Sequence, residues 1–485
     1  MIESLLFLRE HSNYKIEKQV FKDFNMIGMI DDDVISVLSV PCNKDEILER
    51  QIVFQDLDRD DFYNNLYIFR SNLFEIKRTK NILEALNKNI EYIFVFSKYV
   101  QFYINAIKSS YNIISSSALV QQLHDAIKRY TDKFSLLESL HDQYKAILNS
   151  FYGFKLDIDH GKSILSLCED RDFSDAGKNI KSKLSLCLYK LGYGKSKNKN
   201  CDIRLSSALA DSIEFLYKEK ITKLKELIDE ITNLIHHEIT DFIKQIDFYI
   251  KIHNLSSKVA KYNIPHCFPS ASECMGYHAK NAYDITLIFK NCQKITPNDI
   301  HISYNDNTFF ILGANGGGKT TYLRAVGVNL IFFSCGCPVF CDQASIFPPT
   351  KIYTHFPVDE ISTNGRFDAE VFRLNEIIKA SDAGSWVFLN ETFSGTNSYK
   401  GALSALDTMK ILKEKNVFCL FVTHFYELIN KGFPVLSVIV DKSNQNKRTF
   451  KVERRDFSES SFSKDILKKY NLDSESLKNM ISRRT

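Results

Sequence analysis

The hydrophobic and polar positions follow different patterns in the two halves of the chain. Residues 42–152 contain neither glycine nor proline. Because these residues interrupt helices and form turns, their absence over so long a stretch predicts an all-α region. A second such stretch covers residues 195–264. After Pro265, short apolar runs alternate with glycine and proline, which predicts a separate α/β domain.

The second helical stretch carries a seam of apolar residues at alternating steps of three and four, typical of a coiled coil. The seam consists of Tyr217, Ile221, Leu224, Ile228, Ile231 and Ile235. Glu238 interrupts it, but Phe242, Tyr249 and Ile252 continue the spacing. The pattern therefore predicts one helix of about 45 residues, which would extend roughly 65–70 Å at a rise of 1.5 Å per residue. A helix of this length would serve as a lever or an arm.

The C-terminal half predicts alternating strands and helices. Candidate strands cover residues 308–312, 386–389, 418–422 and 436–440, and helices are predicted to start at Lys319, Ala369 and Gly401. The predicted organisation has four parts. They are residues 1–75, joining a helical core; residues 76–264, the helical core with its lever and clamp-like region; residues 265–455, the α/β domain; and residues 456–485, a helical tail.

Composition changes this picture little. A chain of 485 residues exceeds one hydrophobic core, which saturates near roughly 250–300 residues, so several domains are expected. The net charge of +4 is too small to identify a nucleic-acid-binding protein. Residues 1–10 lack the features of a signal peptide, and the apolar residues 90–104 are interrupted by charges. We therefore expect a cytoplasmic protein without a membrane segment.

Cysteine, histidine and lysine clusters have ordinary structural explanations. Eleven cysteines are scattered along the chain, and Cys335, Cys337 and Cys341 are expected in the core rather than at a metal. The run from His236 to Glu238 is expected on a solvated helix face. The most basic segment, residues 178–204, is interpreted first as a solvated loop and alternatively as a contact to a phosphate backbone.

The strongest chemical signal is a phosphate-binding loop. The apolar residues 309–312 run into a G-x-x-x-x-G-K-[ST] sequence, in the strand-to-helix setting that such a loop requires. Its backbone N–H groups would surround phosphate oxygens, Lys319 would contact the β and γ phosphates, and the Thr320 hydroxyl would ligate Mg²⁺. The predicted nucleotide-binding residues are Gly313, Ala314, Asn315, Gly316, Gly317, Gly318, Lys319, Thr320 and Thr321.

Two further strands are predicted to end in catalytic side chains. The strand starting at Trp386 ends in Asn390 and Glu391, in the arrangement of a Walker B motif. The first position is usually an aspartate that holds the metal, so Asn390 is expected to lower metal affinity and turnover. Glu391 keeps the position of the base that activates water. Residues 418–422 lead to His424, which would contact the γ-phosphate or its attacking water.

These blocks together resemble the MutS ATPase in order and spacing. They are residues 295–299, the phosphate loop with Tyr322-Leu-Arg324, Asn390-Glu391 with residues 395–401, and residues 423–428. The resemblance covers residues 295–428, whereas Arg50-Gln51 and Asp56-Leu57 only faintly resemble the core and lever domains. It implies an ABC-type dimer with nucleotide between the subunits, in which residues 362–370 and 395–398 would complete the partner's site.

The chain departs from the family pattern in three ways. Asn390 replaces the aspartate, and residues 362–370 keep Gly365-Arg366 but lack the Ser-Thr pair that would touch the partner's nucleotide. The family's mismatch reader carries Phe-x-Glu, and no such tripeptide precedes the α/β domain. We therefore do not expect mismatch reading by a wedge.

The sequence favours a MutS-like ATPase that binds ATP and Mg²⁺, forms a homodimer and hydrolyses ATP slowly. Nucleotide would move helical levers that clamp DNA or a protein partner. One alternative is a nucleotide-gated dimeric scaffold with negligible hydrolysis, because Asn390 lacks the carboxylate. Another is a chromosome ATPase of the ABC type with a coiled-coil arm, but the sequence has no Leu-Ser-Gly-Gly signature.

Overall fold

The computed structural model of the chain describes part of its length. The described residues are 4–8, 14–86, 90–150, 154–159, 162–167, 214–215, 217–292, 294–357, 366–393, 398–440 and 448–455. The basic segment 178–204 and the predicted tail 456–485 lie outside these residues. So do residues 362–365 and 395–397, within the segments implied to reach a partner's site.

The helices and strands are numbered along the described residues. The helices are α1 (Lys18–Asp23), α2 (Asp32–Leu38), α3 (Lys44–Asp56), α4 (Asp60–Ala85), α5 (Ile90–Ser110), α6 (Ala118–Arg129), α7 (Phe134–Asn149), α8 (Lys218–Thr232), α9 (Phe242–Ala260), α10 (Lys319–Ser334), α11 (Arg366–Ala380) and α12 (Ser398–Glu414). The strands are β1 (Phe154–Asp159), β2 (Lys162–Leu167), β3 (Ser270–Ala271), β4 (Gly276–Ala282), β5 (Asn298–Ser303), β6 (Thr308–Leu312), β7 (Gln343–Ile346), β8 (Ile352–His355), β9 (Trp386–Asn390), β10 (Phe418–Val422), β11 (Val435–Val440) and β12 (Arg448–Arg454). Short 3₁₀ helices cover His237–Asp241, Ile285–Lys290 and Tyr426–Leu428.

The chain forms two compact units. One comprises Asp60–Ile114 and Gln121–Ile246 and is called the helical unit. The other comprises Met1–Arg59, Ser115–Val120 and Asp247–Thr485 and is called the sheet unit. Within the described part of the chain, no helix combines the length and apolarity needed to cross a bilayer.

Helix α3 of the stretches predicted to be all-α lies in the sheet unit, whereas the helical unit contains α4, α5, α7 and α8 of these stretches. Its longest helix, α4, has 26 residues and is about 39 Å long at 1.5 Å per residue. Buried residues on α4, such as Phe62, Leu66 and Phe69, recur at helical spacing and form one apolar stripe. On α7, the Tyr144 hydroxyl donates to the Ile93 carbonyl of α5 at 2.8 Å, which ties the two helices together. The antiparallel hairpin β1–β2 is an element that the sequence analysis did not predict.

The prediction of one helix of about 45 residues is wrong. Helix α8 ends at Thr232, a 3₁₀ turn covers His237–Asp241, and a new helix starts at Phe242. At the break, the backbone N–H of His236 donates to the Tyr103 hydroxyl at 3.2 Å, in place of a carbonyl one helical turn earlier. The Tyr103 hydroxyl thus replaces one helical hydrogen bond here, and the run from His236 to Glu238 is exposed on a turn rather than on a continuous helix.

A six-stranded sheet organises the sheet unit in the order β12-β11-β6-β10-β9-β8. All neighbouring strands are parallel except β11 and β12. The four strands predicted from the sequence are confirmed. The three predicted helices are α10, α11 and α12, of which α11 and α12 start three residues earlier than predicted, at Arg366 and Ser398. Strands β6 and β10 are buried at every position, as expected of parallel strands covered on both faces.

Different parts of the chain pack on the two faces of this sheet. Ala405 and Met409 of α12 share one core cluster with Phe310 and Leu389. The neighbouring Phe388 points to the other face, because side chains alternate along a strand. There its ring meets the Phe24 ring edge-on at 5.2 Å. A smaller sheet, in the order β3-β7-β4-β5, completes the unit.

The N-terminal residues belong to the sheet unit, which differs from the predicted boundary at residue 75. The Tyr14 hydroxyl donates to the Ile352 carbonyl and accepts from the Ile352 N–H, both at 2.8 Å, along the outer side of β8. Phe24 packs on α10, where a Cβ on Gly327 would lie 2.1 Å from the ring. Apolar periodicity in residues 14–59 predicts buried faces but does not specify the element they cover.

The predicted core position of three cysteines is confirmed. Cys335 and Cys337 are 0% exposed and Cys341 is 1% exposed, in the core of the sheet unit. Among the described residues, no group of histidine, cysteine, aspartate and glutamate side chains has the arrangement of a metal site.

Candidate active site

The candidate site lies at the carboxyl ends of three adjacent parallel strands. Strand β10 lies between β6 and β9 in the sheet. The phosphate loop follows β6, Asn390 ends β9, and Thr423 follows β10. Ligands of parallel sheets of this kind usually bind outside the carboxyl ends of the strands, which is where these residues lie.

The phosphate loop has the backbone that phosphate binding requires. Gly313, Gly316 and Gly318 have φ angles of 139°, 67° and 104°, a region that side-chain-bearing residues rarely adopt. Helix α10 begins immediately afterwards at Lys319, so its free N–H groups face the loop. A helix N-terminus preceded by such a turn is a site for anions.

Lys319 is held at the centre of this loop. Its side chain is 5% exposed, and its ammonium donates to the Gly313 carbonyl at 2.8 Å and to the Ala314 carbonyl at 3.2 Å. The charge is therefore inside the loop, where phosphate oxygens would be its natural partners.

Thr320 and Asn390 meet where a metal ion would be held. The Thr320 hydroxyl donates to the Asn390 side-chain carbonyl at 3.0 Å, which joins α10 to the end of β9. Both groups offer oxygen atoms, which suit Mg²⁺, an ion that commonly keeps several waters and takes its other ligands from phosphates. The pair therefore fits a magnesium site, although an amide contributes no negative charge.

Glu391 and His424 form the opposite wall. The His424 Nε2 and Glu391 Oε1 atoms are 2.9 Å apart, and the side chains are 33% and 38% exposed, so both are accessible to water. The Glu391 N–H donates to the Val422 carbonyl at 2.8 Å, which anchors β9 to β10. Glu391 has a φ of 52°, a strained conformation that is common in functional sites.

His355, which the sequence analysis missed, supports this wall. It is 1% exposed at the end of β8, and its Nε2 lies 3.1 Å from the Glu370 carbonyl, so Nε2 carries the proton. Its Nδ1 therefore accepts from the Thr392 hydroxyl, at 3.0 Å. Burial, reinforced by the Arg373 charge, lowers the His355 pKa to about 4, which keeps the ring neutral. The signal in the sequence was a histidine at the end of a strand next to β9.

The structure brings together the predicted loop, metal and catalytic residues at one edge of the sheet. Of the segments implied to complete a partner's site, residues 366–370 lie at the start of α11 and Ser398 is the first residue of α12. The Ser398 hydroxyl donates to the Glu427 carboxylate at 3.2 Å. The hairpin β11–β12 was not predicted to take part, but Val438 packs directly on the loop at Gly313 and Gly317.

The part of the chain that contains the candidate site is similar to known proteins. The family model described as MutS domain V matches residues 309–472. The chain is 34% identical over 135 residues to the DNA mismatch repair protein msh-2 of Neurospora crassa, covering 27% of the chain and 14% of that protein. It is 34% identical over 138 residues to the DNA mismatch repair protein MutS of Clostridium perfringens, covering 27% and 15%.

A longer similarity reaches upstream of the phosphate loop. The chain is 26% identical over 223 residues to the Endonuclease MutS2 of Thermotoga neapolitana, covering 44% of the chain and 28% of that protein. The matched segments thus span between 14% and 28% of these curated relatives.

Proposed function

Because this chain belongs to the MutS family, we propose that its sheet unit binds ATP with Mg²⁺ and hydrolyses it slowly. The observation that carries the proposal is the position of four side chains. Lys319 lies inside the loop, Thr320 is bonded to Asn390, and Glu391 follows Asn390 at the carboxyl end of β9.

Each residue has a role in phosphoryl transfer to water. On binding a triphosphate, Lys319 would exchange the carbonyls of Gly313 and Ala314 for β- and γ-phosphate oxygens, while the loop N–H groups bind the remaining oxygens. Thr320 and Asn390 would hold the metal, directly and through water. When bound, Mg²⁺ would neutralise part of the charge on the phosphates.

Glu391 would position the attacking water and accept its proton. His424 would act in one of two ways, on Glu391 or on the substrate. Its Nε2 bonds the Glu391 carboxylate, which orients that base. With a small rotation the imidazole would instead donate to the γ-phosphate or to the water. His355 and Thr392 would fix the backbone next to Glu391 without touching the substrate.

Nucleotide titration tests the binding step. Calorimetry with ATP and Mg²⁺ should give a saturable site in the wild type and none in Lys319→Ala, with Lys410→Ala, an exposed lysine on α12, as the control. Equal binding in wild type and Lys319→Ala would defeat the proposal. The hydrolysis step is tested by phosphate release, which should fall at least about 100-fold in Glu391→Gln because the catalytic base is lost.

A second candidate function is a nucleotide-gated scaffold that binds ATP but hydrolyses it negligibly. It is favoured by one observation, the neutral Asn390 amide in the position bonded to Thr320. Equal, background-level phosphate release from wild type and Glu391→Gln, together with tight ATP binding, would support the scaffold over the ATPase.

We also propose that the protein works as a homodimer on DNA, in a repair or recombination role, with nucleotide state moving the helical unit. The support is the family membership and the names of the relatives, of which two are DNA mismatch repair proteins and one an endonuclease. A protein partner would be an additional ligand.

Analytical sedimentation of the protein with and without ATP tests the dimer. Binding to duplex, branched and mismatched DNA at several salt concentrations tests the DNA contact. Affinity that did not fall with salt would contradict phosphate contacts.

A further inference from the structure

The hairpin β11–β12 closes over the outer side of the phosphate loop. On β11, the Val438 Cβ lies 3.0 Å from the point that a Cβ on Gly313 would occupy. Strand β12 is fixed by Asn298 of β5, whose amide donates to the Phe450 carbonyl at 3.1 Å and whose oxygen accepts from the Val452 N–H at 2.8 Å. The residues at the start of β12 therefore have a defined position beside the loop.

The guanidinium of Arg448 lies against the loop at Gly316. Its Nη1, Cζ and Nη2 atoms are 2.6, 3.1 and 3.3 Å from the point where a Gly316 Cβ would be. A side chain at position 316 would therefore displace this guanidinium from its place against the loop. Glycine at this position both permits the φ of 67° and leaves the space that Arg448 occupies.

Nothing in the described part of the chain neutralises Arg448. The side chain is exposed, and no carboxylate among the described residues forms an ion pair with it. The nearby Arg454 of the same strand, by contrast, pairs with Asp306 at 2.6 Å. A guanidinium that lies against a phosphate loop, without a carboxylate partner among the described residues, has the planar geometry and the charge to bind phosphate oxygens.

We propose that Arg448 is a second cationic ligand of the nucleotide's phosphate chain, contributed by the same subunit as the loop and approaching from the side opposite the β9 and β10 strand ends. The inference rests on the proposed function, because it names a further binding residue of that ATP site. Lys319 would bind the phosphates from inside the loop, and Arg448 would bind them from its outer side.

The expected effect follows from the strength of charge-assisted hydrogen bonds. Loss of one such contact weakens binding by about 10-fold or more. Arg448→Ala should therefore bind ATP at least about 10-fold more weakly than wild type. Arg448→Lys should recover part of this loss, because lysine restores the positive charge but lacks the planar guanidinium that can donate two parallel hydrogen bonds. Inorganic tripolyphosphate should lose affinity to a similar extent, because the contact is to phosphate and not to the base.

The test is calorimetric titration of the full chain with Mg²⁺-ATP and with tripolyphosphate. Arg455→Ala is the matched control, since Arg455 is an exposed arginine at the end of the same hairpin. Thermal unfolding of each variant shows whether it remains folded. The expected result is a loss of affinity for both probes in Arg448→Ala, no loss in Arg455→Ala, and partial recovery in Arg448→Lys.

Two results separate the failure of this inference from failure of the proposed function. If wild type binds ATP, Lys319→Ala does not, and a folded Arg448→Ala binds both probes like wild type, the role of Arg448 is refuted and the ATP site remains. If wild type itself binds neither probe, the proposed function fails and the inference fails with it. Full binding by Arg448→Gln would also overturn the inference, because it would show that the charge has no role.

Discussion

Replacing Asn390 by aspartate should convert the site to one that binds magnesium more tightly. The Asn390 side-chain oxygen lies 3.0 Å from the Thr320 hydroxyl, and an aspartate oxygen at the same point would still accept that hydrogen bond. The substitution therefore adds one negative charge with little change in shape. The change isolates the electrostatic contribution of the missing carboxylate.

The magnitude follows from Coulomb's law. A unit negative charge about 4–5 Å from a divalent ion, separated by one water, gains about 2 kcal/mol at the dielectric constant of water and more in a partly buried site. A gain of 2 kcal/mol corresponds to about 30-fold in affinity. Asn390→Asp should therefore lower the half-saturating Mg²⁺ concentration by at least about 10-fold.

The assay is phosphate release at saturating ATP over a range of Mg²⁺ concentrations. Asn305→Asp is the matched control, because it adds the same charge at an exposed turn before β6, at the opposite end of that strand from the phosphate loop. The control should leave the Mg²⁺ dependence unchanged. Identical half-saturating Mg²⁺ concentrations in wild type and Asn390→Asp would refute the assignment of Asn390 to the metal site.

Three further predictions concern catalysis and stability. Glu391→Asp should retain ATP binding but lower phosphate release, because the shorter side chain no longer reaches the water; unchanged release would remove Glu391 from the mechanism. The free energy of unfolding should fall as pH decreases from about 6.5 to about 4, since burial holds the His355 pKa near 4 and the unfolded chain binds the proton first. Denaturant titrations of the wild type should find that about 3 kcal/mol of the free energy of unfolding is lost over this pH range, and His355→Gln should lack this loss. The same pH dependence in His355→Gln would contradict the role of His355. Gly327→Ala should destabilise the sheet unit by about 1–3 kcal/mol, because the new Cβ would lie 2.1 Å from the Phe24 ring. The double variant with Phe24→Leu should recover part of the loss in the same denaturant titration, and a fully stable Gly327→Ala would show that the ring moves freely.

The candidate site could largely be predicted from the sequence because its signals are local. A run of apolar residues followed by the loop glycines and Lys319 specifies a strand, a turn and a helix within a few residues of one another. Asn390 and His424 likewise follow buried strands directly, and parallel strands bring their carboxyl ends to one edge. Their convergence on the loop therefore needed no knowledge of long-range packing.

What could not be predicted depends on contacts between distant parts of the chain. At the break after Thr232, the Tyr103 hydroxyl of α5 accepts the hydrogen bond of the His236 N–H, whereas the seam spacing alone favours a continuous helix. The docking of Phe24 on Phe388 joins residues separated by most of the chain. His355 and Arg448 were missed for the same reason, since neither is part of a local motif and each gains its role from the residue it faces.

The most direct measurement of the central claim is an experimental structure with Mg²⁺ and a non-hydrolysable ATP analogue. We predict that the triphosphate lies in the loop that begins at Gly313, with the Lys319 ammonium moved from the Gly313 carbonyl to the phosphates and with Glu391 facing the γ-phosphate. A nucleotide bound elsewhere, or a loop that keeps the Lys319 contact to Gly313 in saturating analogue, would contradict it.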